Sequence, residues 1–378
     1  MRLLLVNYEY PPVGAGAATA TQALAFALVR LGHSASVLTG AYKNLPAQSE
    51  KNGVYVRRVP SLRRRPDRSG IVEMLSFLVS AEIALPFIIR ARKIDGIIAF
   101  FSLPDGPVGL TGRILCRIPY VVSLRGGDVP GTEWSLTAFH RLLAPLRRII
   151  LRQSRAITAP SEGLKKLSEQ IDPFPVRVIP NGVDTNIFTP KPVSEKRFSG
   201  PFRFLFVGRI RSQKNLGWLF EQLQKLRSGG WTIDLVGDGP DRAKMEALSR
   251  DLGLASVTKW KGWISRDELP AMYRNYDCLV NPSLYEGMPN AVLEAMGSGL
   301  PVIASRVAGN IDLVLNGETG YLCDLQSSSE FVGALQQLID DPARAAQFGA
   351  AGRARVSKEF SWDNIAQQYA ALFETVSR

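Results

Sequence analysis

Two successive series of short β-rich apolar runs, each run followed by a helical pattern, constrain this chain more than any other feature. The first series comprises Leu3 to Asn7, Ser36 to Thr39, Val54 to Val59, Gly96 to Phe100, Tyr120 to Leu124, Ala156 to Ala159 and Val176 to Ile179. The second comprises Phe202 to Gly208, Trp231 to Gly237, Val257 to Trp260, Cys278 to Asn281 and Val302 to Ser305. Continuous apolar runs suit strands covered on both faces, which occur when helices flank a parallel sheet. The helix expected over 17–31 is stopped by Gly32, and the pattern repeats down the chain. The fold class is therefore α/β, with two Rossmann-like, doubly wound parallel-sheet domains.

The segment Thr189 to Pro201 is proline-rich, charged and without periodicity, so it reads as a linker. An N-terminal domain over 1–188, a linker over 189–201 and a C-terminal domain over 202–361 follow. A chain of 378 residues accommodates two domains of that size. An amphipathic helix is expected over 362–378, starting at Trp362.

Charge is unevenly divided. Residues 1–190 hold 24 Lys and Arg against 13 Asp and Glu; residues 191–378 hold 22 against 21. A basic half implies an acidic partner, such as anionic lipid or a lipid-linked phosphate. Arg63-Arg64-Arg65 and the segment from Arg141 to Arg152 are the candidate contacts with an anionic membrane surface. A basic nucleic-acid-binding protein is the alternative from another class, but no helix-turn-helix, zinc or aromatic-platform signature accompanies the charge, so no nucleic-acid partner is expected. Cys116, Cys278 and Cys323 are scattered without metal or redox spacing, which suits a reducing cytoplasm. The start, Met1-Arg-Leu-Leu-Leu-Val-Asn, is too short an apolar run for a secretory signal and reads as a strand. The apolar stretch Ile71 to Ile89 is broken by Glu73, Glu82 and Pro86, so it reads as a core or interfacial helix rather than a span.

The chemistry concentrates at strand ends. Tyr285 to Ser305 places Glu286 in a loop and Glu294 on the following helix, with Pro289 expected at the first helical position. The N–H groups of Gly287, Met288 and Asn290 are expected to sit at the positive helix end, where an anion binds. Glu294, four residues past Asn290, suits hydroxyl groups instead. Arg209 and Lys214 follow the first strand of the second domain and can clamp a diphosphate. Gly14 and Gly16 follow the first strand of the first domain. Thr19 stands where a dinucleotide fingerprint wants a third Gly, and Val37 to Gly40 offers no acid for a ribose; both count against a nicotinamide enzyme. Gly237, in Gly237-Asp-Gly239-Pro, reads as a flexible turn at another strand end.

The Glu286-x7-Glu294 spacing, within Glu-Gly-Met-Pro-Asn and Glu-Ala-Met-Gly-Ser-Gly-Leu-Pro-Val-Ile-Ala, resembles the signature of retaining, nucleotide-sugar-dependent glycosyltransferases of the two-domain GT-B type, glycosyltransferase family 4. Gly208-Arg209-x4-Lys214-Asn215, Gly237-x-Gly239-Pro240, Lys261-Gly-Trp-Ile264, Ile179-Pro-Asn181-Gly-Val-Asp and Asn316-Gly-Glu-Thr-Gly-Tyr-Leu are similar to further elements of that family.

The resemblance implies two domains facing a central cleft, with the helix at 362–378 crossing back to the N-terminal domain. It implies that Glu286 faces the donor sugar, Glu294 takes the ribose hydroxyls, and Arg209 and Lys214 neutralise the leaving diphosphate. The loop ending at Ile264 would lie against the base, and Gly16, Gly237, Gly287, Met288 and Asn290 would line the donor. A UDP- or GDP-sugar is then a substrate; no cofactor and no metal are expected, and no Asp-x-Asp signature is present. The acceptor would be a glycan or lipid-linked intermediate of polysaccharide biosynthesis, and the enzyme cytoplasmic, peripheral on the inner face of the plasma membrane. Ser123-Leu-Arg125-Gly-Gly-Asp128 departs from the family's common His-Gly-x-Asp. A guanidinium is no general base at neutral pH, so Arg125 is assigned to phosphate binding in catalysis. Asp128 either contacts the acceptor or caps its loop. A non-hydrolysing sugar-nucleotide epimerase shares the fold and is the alternative enzyme.

Overall fold

A computed structural model of the chain describes residues 1–14, 16–66, 69–132, 137–192, 200–226 and 229–374. The chain forms two compact units, Met1–Asn181 with Trp362–Arg378, and Gly182–Ser361.

The first unit is built on strands β1 (Arg2–Val6), β2 (Ser34–Gly40), β3 (Gln48–Lys51), β4 (Val54–Val59), β5 (Gly96–Phe100), β6 (Tyr120–Ser123), β7 (Ala156–Ala159) and β8 (Val176–Val178). Their order is β3-β4-β2-β1-β5-β6-β7-β8. All neighbours pair in parallel except β3 with β4. Strand β3 is an edge strand of polar sequence, QSEK, and for that reason carries no apolar signal. The helices are α1 (Gly16–Arg30), α2 (Ile71–Arg92), α3 (Gly106–Cys116), α4 (Thr137–Leu142), α5 (Ala144–Gln153) and α6 (Glu162–Ile171). Side chains alternate across a strand. Leu3 and Leu5 therefore enter one core with Leu24 and Leu28 of α1, whereas Leu4 and Val6 enter the other with Phe77 and Leu85 of α2 and Ile150 of α5.

The second unit has strands β9 (Phe202–Val207), β10 (Trp231–Val236), β11 (Thr258–Gly262), β12 (Cys278–Asn281), β13 (Val302–Ser305) and β14 (Gly320–Cys323), in the order β11-β10-β9-β12-β13-β14, all parallel. Around them lie α7 (Leu216–Leu223), α8 (Arg242–Asp251), α9 (Leu269–Tyr273), α10 (Asn290–Gly297), α11 (Asn310–Leu313), α12 (Ser328–Asp340) and α13 (Pro342–Glu359). Phe204 and Phe206 point to the α7 and α12 side, and Leu205 and Val207 to the α10 side.

The last helix, α14 (Trp362–Glu374), belongs to the first unit. Trp362, Ile365, Tyr369 and Phe373 recur at helical spacing and join the core of α1. Residues 375–378 of the expected helix lie outside the described residues, as do residues 193–199 of the expected linker.

The boundary corrects the expectation of 188. Residues from Gly182 on belong to the second unit because Val183 bridges Ser361, Phe188 packs in the core with Tyr273, and Arg353 donates to the carbonyls of Thr185 (2.6 Å) and Phe188 (2.5 Å). A turn-like sequence hides these contacts, because their partners lie far downstream in the chain. Pro289 is also shifted. It is extended (φ −78°, ψ 112°) and precedes the helix as its cap, with its carbonyl accepting the N–H groups of Val292 and Leu293.

Candidate functional site

In an open α/β sheet, ligands bind beyond the carboxyl ends of the strands, where the strand order reverses. In the second sheet that point lies between β9 and β12. The loop after β9 carries Gly208, Arg209 and Lys214; the loop after β12 carries Glu286.

These two loops are fastened together. Leu284 N–H donates to the Gln213 carbonyl at 2.8 Å, and Gln213 Nε2 donates to the Tyr285 carbonyl at 2.8 Å. Lys214 Nζ then donates to Glu286 Oε1 at 2.5 Å, the two side chains being 15% and 8% exposed. An ion pair so shielded is screened little by salt. Arg209 is exposed on the same loop.

Glycines set how closely the loops approach. Gly237 has φ +128°, its N–H donates to the Gly262 carbonyl at 2.8 Å, and a Cβ there would stand 2.0 Å from the Gly208 carbonyl oxygen. The flexible turn expected at Gly237 is instead a fixed joint among three strand ends. Its N–H is already used, which leaves only its shape for any ligand contact. A Cβ on Gly239 would likewise meet the Ile210 carbonyl at 2.1 Å. Beyond Gly262, Trp263 is 76% exposed while Ile264 is half-buried against the core.

Helix α10 begins at Asn290, so its positive end lies beside Gly287 and Met288. The Met288 side chain is in the core, which leaves its backbone for any ligand contact. Gly309 backs this loop; a Cβ on it would be 2.7 Å from the Gly287 carbonyl. Glu294 is buried and accepts from Tyr273 Oη at 3.0 Å. Burial pushes its carboxyl up, opposed by the charge of Arg266 and by the Tyr273 hydrogen bond. Beneath the loops, Asn281 donates to Asn310 Oδ1 at 3.1 Å, and Ser283 donates to Asn281 Oδ1 at 2.8 Å, all buried. Sequence reasoning missed Tyr273 and this network, because no local motif links residues so far apart in the chain.

The first unit holds Gly16, Arg125 and Asp128. Its strand order reverses between β1 and β5. Gly16 is the first residue of α1, and the turn before it is made by Gly14 at φ +93°, whose Cβ would strike Glu9 at 2.7 Å. Arg125, just past β6, stacks on the Phe100 ring at 4.3 Å and donates to Asn181 Oδ1 at 2.7 Å and to Tyr369 Oη at 3.4 Å. Tyr369 comes from α14 and also pairs with Ser123 Oγ at 2.7 Å. Asp128 accepts the N–H groups of Ser102 (2.7 Å), Arg125 (2.9 Å) and Gly126 (3.1 Å), which is the loop-cap arrangement. Both its oxygens are thus engaged, so the acceptor contact is not what the geometry favours. Among the described residues no group of three or more His, Cys, Asp or Glu side chains is placed to hold a metal ion.

Residues 14–187 match the family described as Glycosyltransferase Family 4, and residues 189–355 match Glycosyl transferases group 1. An uncharacterized glycosyltransferase of Methanocaldococcus jannaschii is 26% identical, with 99% of this chain and 98% of that protein aligned. Among solved structures, sucrose-phosphate synthase from Thermosynechococcus elongatus superimposes with a TM-score of 0.85 at 23% identity, covering 100% and 99% of the two chains. The Anabaena protein HepE in complex with UDP-glucose does so with a TM-score of 0.77 at 21% identity, covering 100% of both.

Proposed function

The chain belongs to the GT-B glycosyltransferases of family 4, and we propose that it transfers a sugar, with retention, from a UDP- or GDP-sugar to the hydroxyl of a lipid-linked or cell-surface glycan. The observation that carries this reading is the Lys214–Glu286 pair at the β9/β12 switch point. The two charges satisfy each other. A bound diphosphate would take Lys214 and Arg209 as counter-charges, leaving Glu286 to face the sugar. The C1–oxygen bond to the diphosphate then breaks and the bond to the acceptor oxygen forms on the same face. The acceptor proton passes to a diphosphate oxygen, and Glu286 stabilises the positive charge developing on the sugar ring. Glu294 takes the ribose hydroxyls, and the α10 N-terminus with the Gly287–Met288 backbone supports the phosphates. Two cations in this position supply the charge that a divalent ion supplies elsewhere, so the proposed reaction needs no metal.

The donor base is read as uracil or guanine, and HepE, bound to UDP-glucose, supports a nucleotide sugar as donor. The test is a thermal-shift screen of UDP-, GDP- and ADP-sugars with wild-type protein and Lys214→Ala. A donor at a hundred times its dissociation constant stabilises by roughly 2.7 kcal/mol. Stabilisation of the wild type and not of the variant supports the assignment; equal shifts in both remove it. Product anomeric configuration by NMR then decides retention.

A further inference from the structure

We propose that the outer face of α2 lies on an anionic lipid surface, with the helix axis in the membrane plane. The helix is 22 residues long, and among the described residues it alone is long and apolar enough to be a candidate span. It does not span, because Phe77, Ala81, Leu85, Ile88 and Ile89 are committed to the core of the first unit. The opposite face is apolar as well. Val72, Leu75, Val79, Ile83 and Phe87 recur at intervals of three or four residues and are 66%, 52%, 60%, 66% and 72% exposed. Such a continuous stripe marks an interaction surface rather than scattered exposure.

Neighbouring elements extend the stripe. Leu62 is 62% exposed, and its N–H donates to Ser76 Oγ at 2.9 Å, which holds it along the first half of α2. On the adjoining helix α3, Ile114 and Leu115 are both 67% exposed. They follow Thr111, the partner of Glu82 of α2, by three and four residues, so they share the side of α3 that borders α2.

The charges identify the occupant. Neither carboxylate of α2 opposes an anionic surface. Glu73 is spent on the N–H groups of Arg64 (2.9 Å) and Gly70 (2.6 Å), and Glu82 is turned to Thr111. The rim is basic, with Arg64 and Arg65 exposed near one end of the helix and Arg90 and Lys93 exposed at the other. An apolar stripe bounded by cations matches lipid chains beneath anionic headgroups. A second copy of the chain would bring the same positive rim against itself. Two residues expected at such a surface are excluded. Arg63 is buried against Glu9 at 3.1 Å, and Arg147 against Asp172 at 2.7 Å.

The proposal does not rest on the transfer reaction, and its test reads membrane binding apart from catalysis. Full-length protein is floated with phosphatidylcholine vesicles, with and without phosphatidylglycerol, at low and high salt. The wild type should bind the anionic vesicles at least about tenfold better than the neutral ones, less so at high salt. Arg90→Gln/Lys93→Gln should weaken binding about 25-fold, at about fivefold per cation. Val79→Asp/Ile83→Asp should abolish it even at low salt, and both variants should keep the wild-type melting temperature and donor-induced stabilisation. Wild-type protein that ignores anionic vesicles, or a Val79→Asp/Ile83→Asp variant that binds them as well as wild type, overturns the proposal. So does a wild-type dimer in sedimentation that this variant dissociates, since it assigns the face to a second copy.

Discussion

Lys214 Nζ and Glu286 Oε1 are 2.5 Å apart although 72 residues separate them in the chain. The cation assigned to the leaving diphosphate and the carboxylate assigned to the sugar are therefore one hydrogen-bonded unit. Removing either partner strands the other in a half-buried place.

Lys214→Ala and Arg209→Ala should each cut turnover at least about a hundredfold, as loss of charge stabilisation does. Lys214→Ala also leaves Glu286 unpaired, so the Lys214→Ala/Glu286→Ala double variant should lose less than the two single losses combined. Steady-state kinetics on all four proteins provides the cycle; additive losses would mean that the pair is not coupled in function.

Glu286 and Glu294 should fail in different parameters. Contacts to the ribose persist through the reaction and act as uniform binding, so Glu294→Gln should raise the donor KM with turnover nearly kept. Glu286→Gln should chiefly lower kcat. Matching changes in both parameters for the two variants would contradict separate roles.

Acidification should weaken donor binding through Glu294. Burial raises its carboxyl above the usual range, which lies near about 4.3, so protonation begins at higher pH than for an exposed Glu. The protonated form accepts hydrogen bonds poorly, and the donor KM of the wild type should rise as pH falls toward that raised value. In Glu294→Gln the KM should be higher throughout and flat over the same range. A wild-type KM independent of pH speaks against a ribose contact at this residue.

Gly237→Ala should lose stability and donor binding together. A Cβ there meets the Gly208 carbonyl oxygen at 2.0 Å at a φ of +128°, so the β9 and β10 loops must part. Gly317 has φ +79° with nothing within 4 Å, so Gly317→Ala carries only the backbone penalty of about 1–2 kcal/mol. Thermal melts of the two variants should show the larger drop for Gly237→Ala, with donor-induced stabilisation lost in that variant alone.

Asp105 should give the first unit a stability that declines with rising pH. Its carboxyl is buried, Oδ1 accepts the Tyr8 N–H at 3.0 Å, and Oδ2 has no partner. Burial pushes it well above the usual range; the Tyr8 hydrogen bond opposes this, and the charges of Glu9 and Asp128 add to it. The folded state then keeps a proton that the unfolded chain releases near about pH 4. Stability falls as pH rises from there through the folded value. Asp105→Asn removes that titration, so its melting temperature relative to wild type should climb across the same window. A difference constant with pH would place the titration elsewhere.

The order of apolar runs was enough to read the two parallel sheets, because strands covered on both faces must be apolar throughout. The strand-end motifs likewise located Arg209, Lys214, Glu286 and Glu294, since glycines and an interrupted helix start leave local traces. What tertiary structure decided lies between segments distant in the chain. Tyr273 under Glu294, Tyr369 against Arg125, and Gly237 against Gly208 are contacts that no local pattern encodes. The polar edge strand β3 had no apolar signature to read. The fate of the charges was equally hidden, for Arg63, Arg64 and Arg65 are consecutive and chemically alike, and only packing buries the first against Glu9 while the others remain in water. Composition sets how many cations a chain carries; desolvation and the nearest carboxylate, both products of the fold, determine which of them are available to bind anything else.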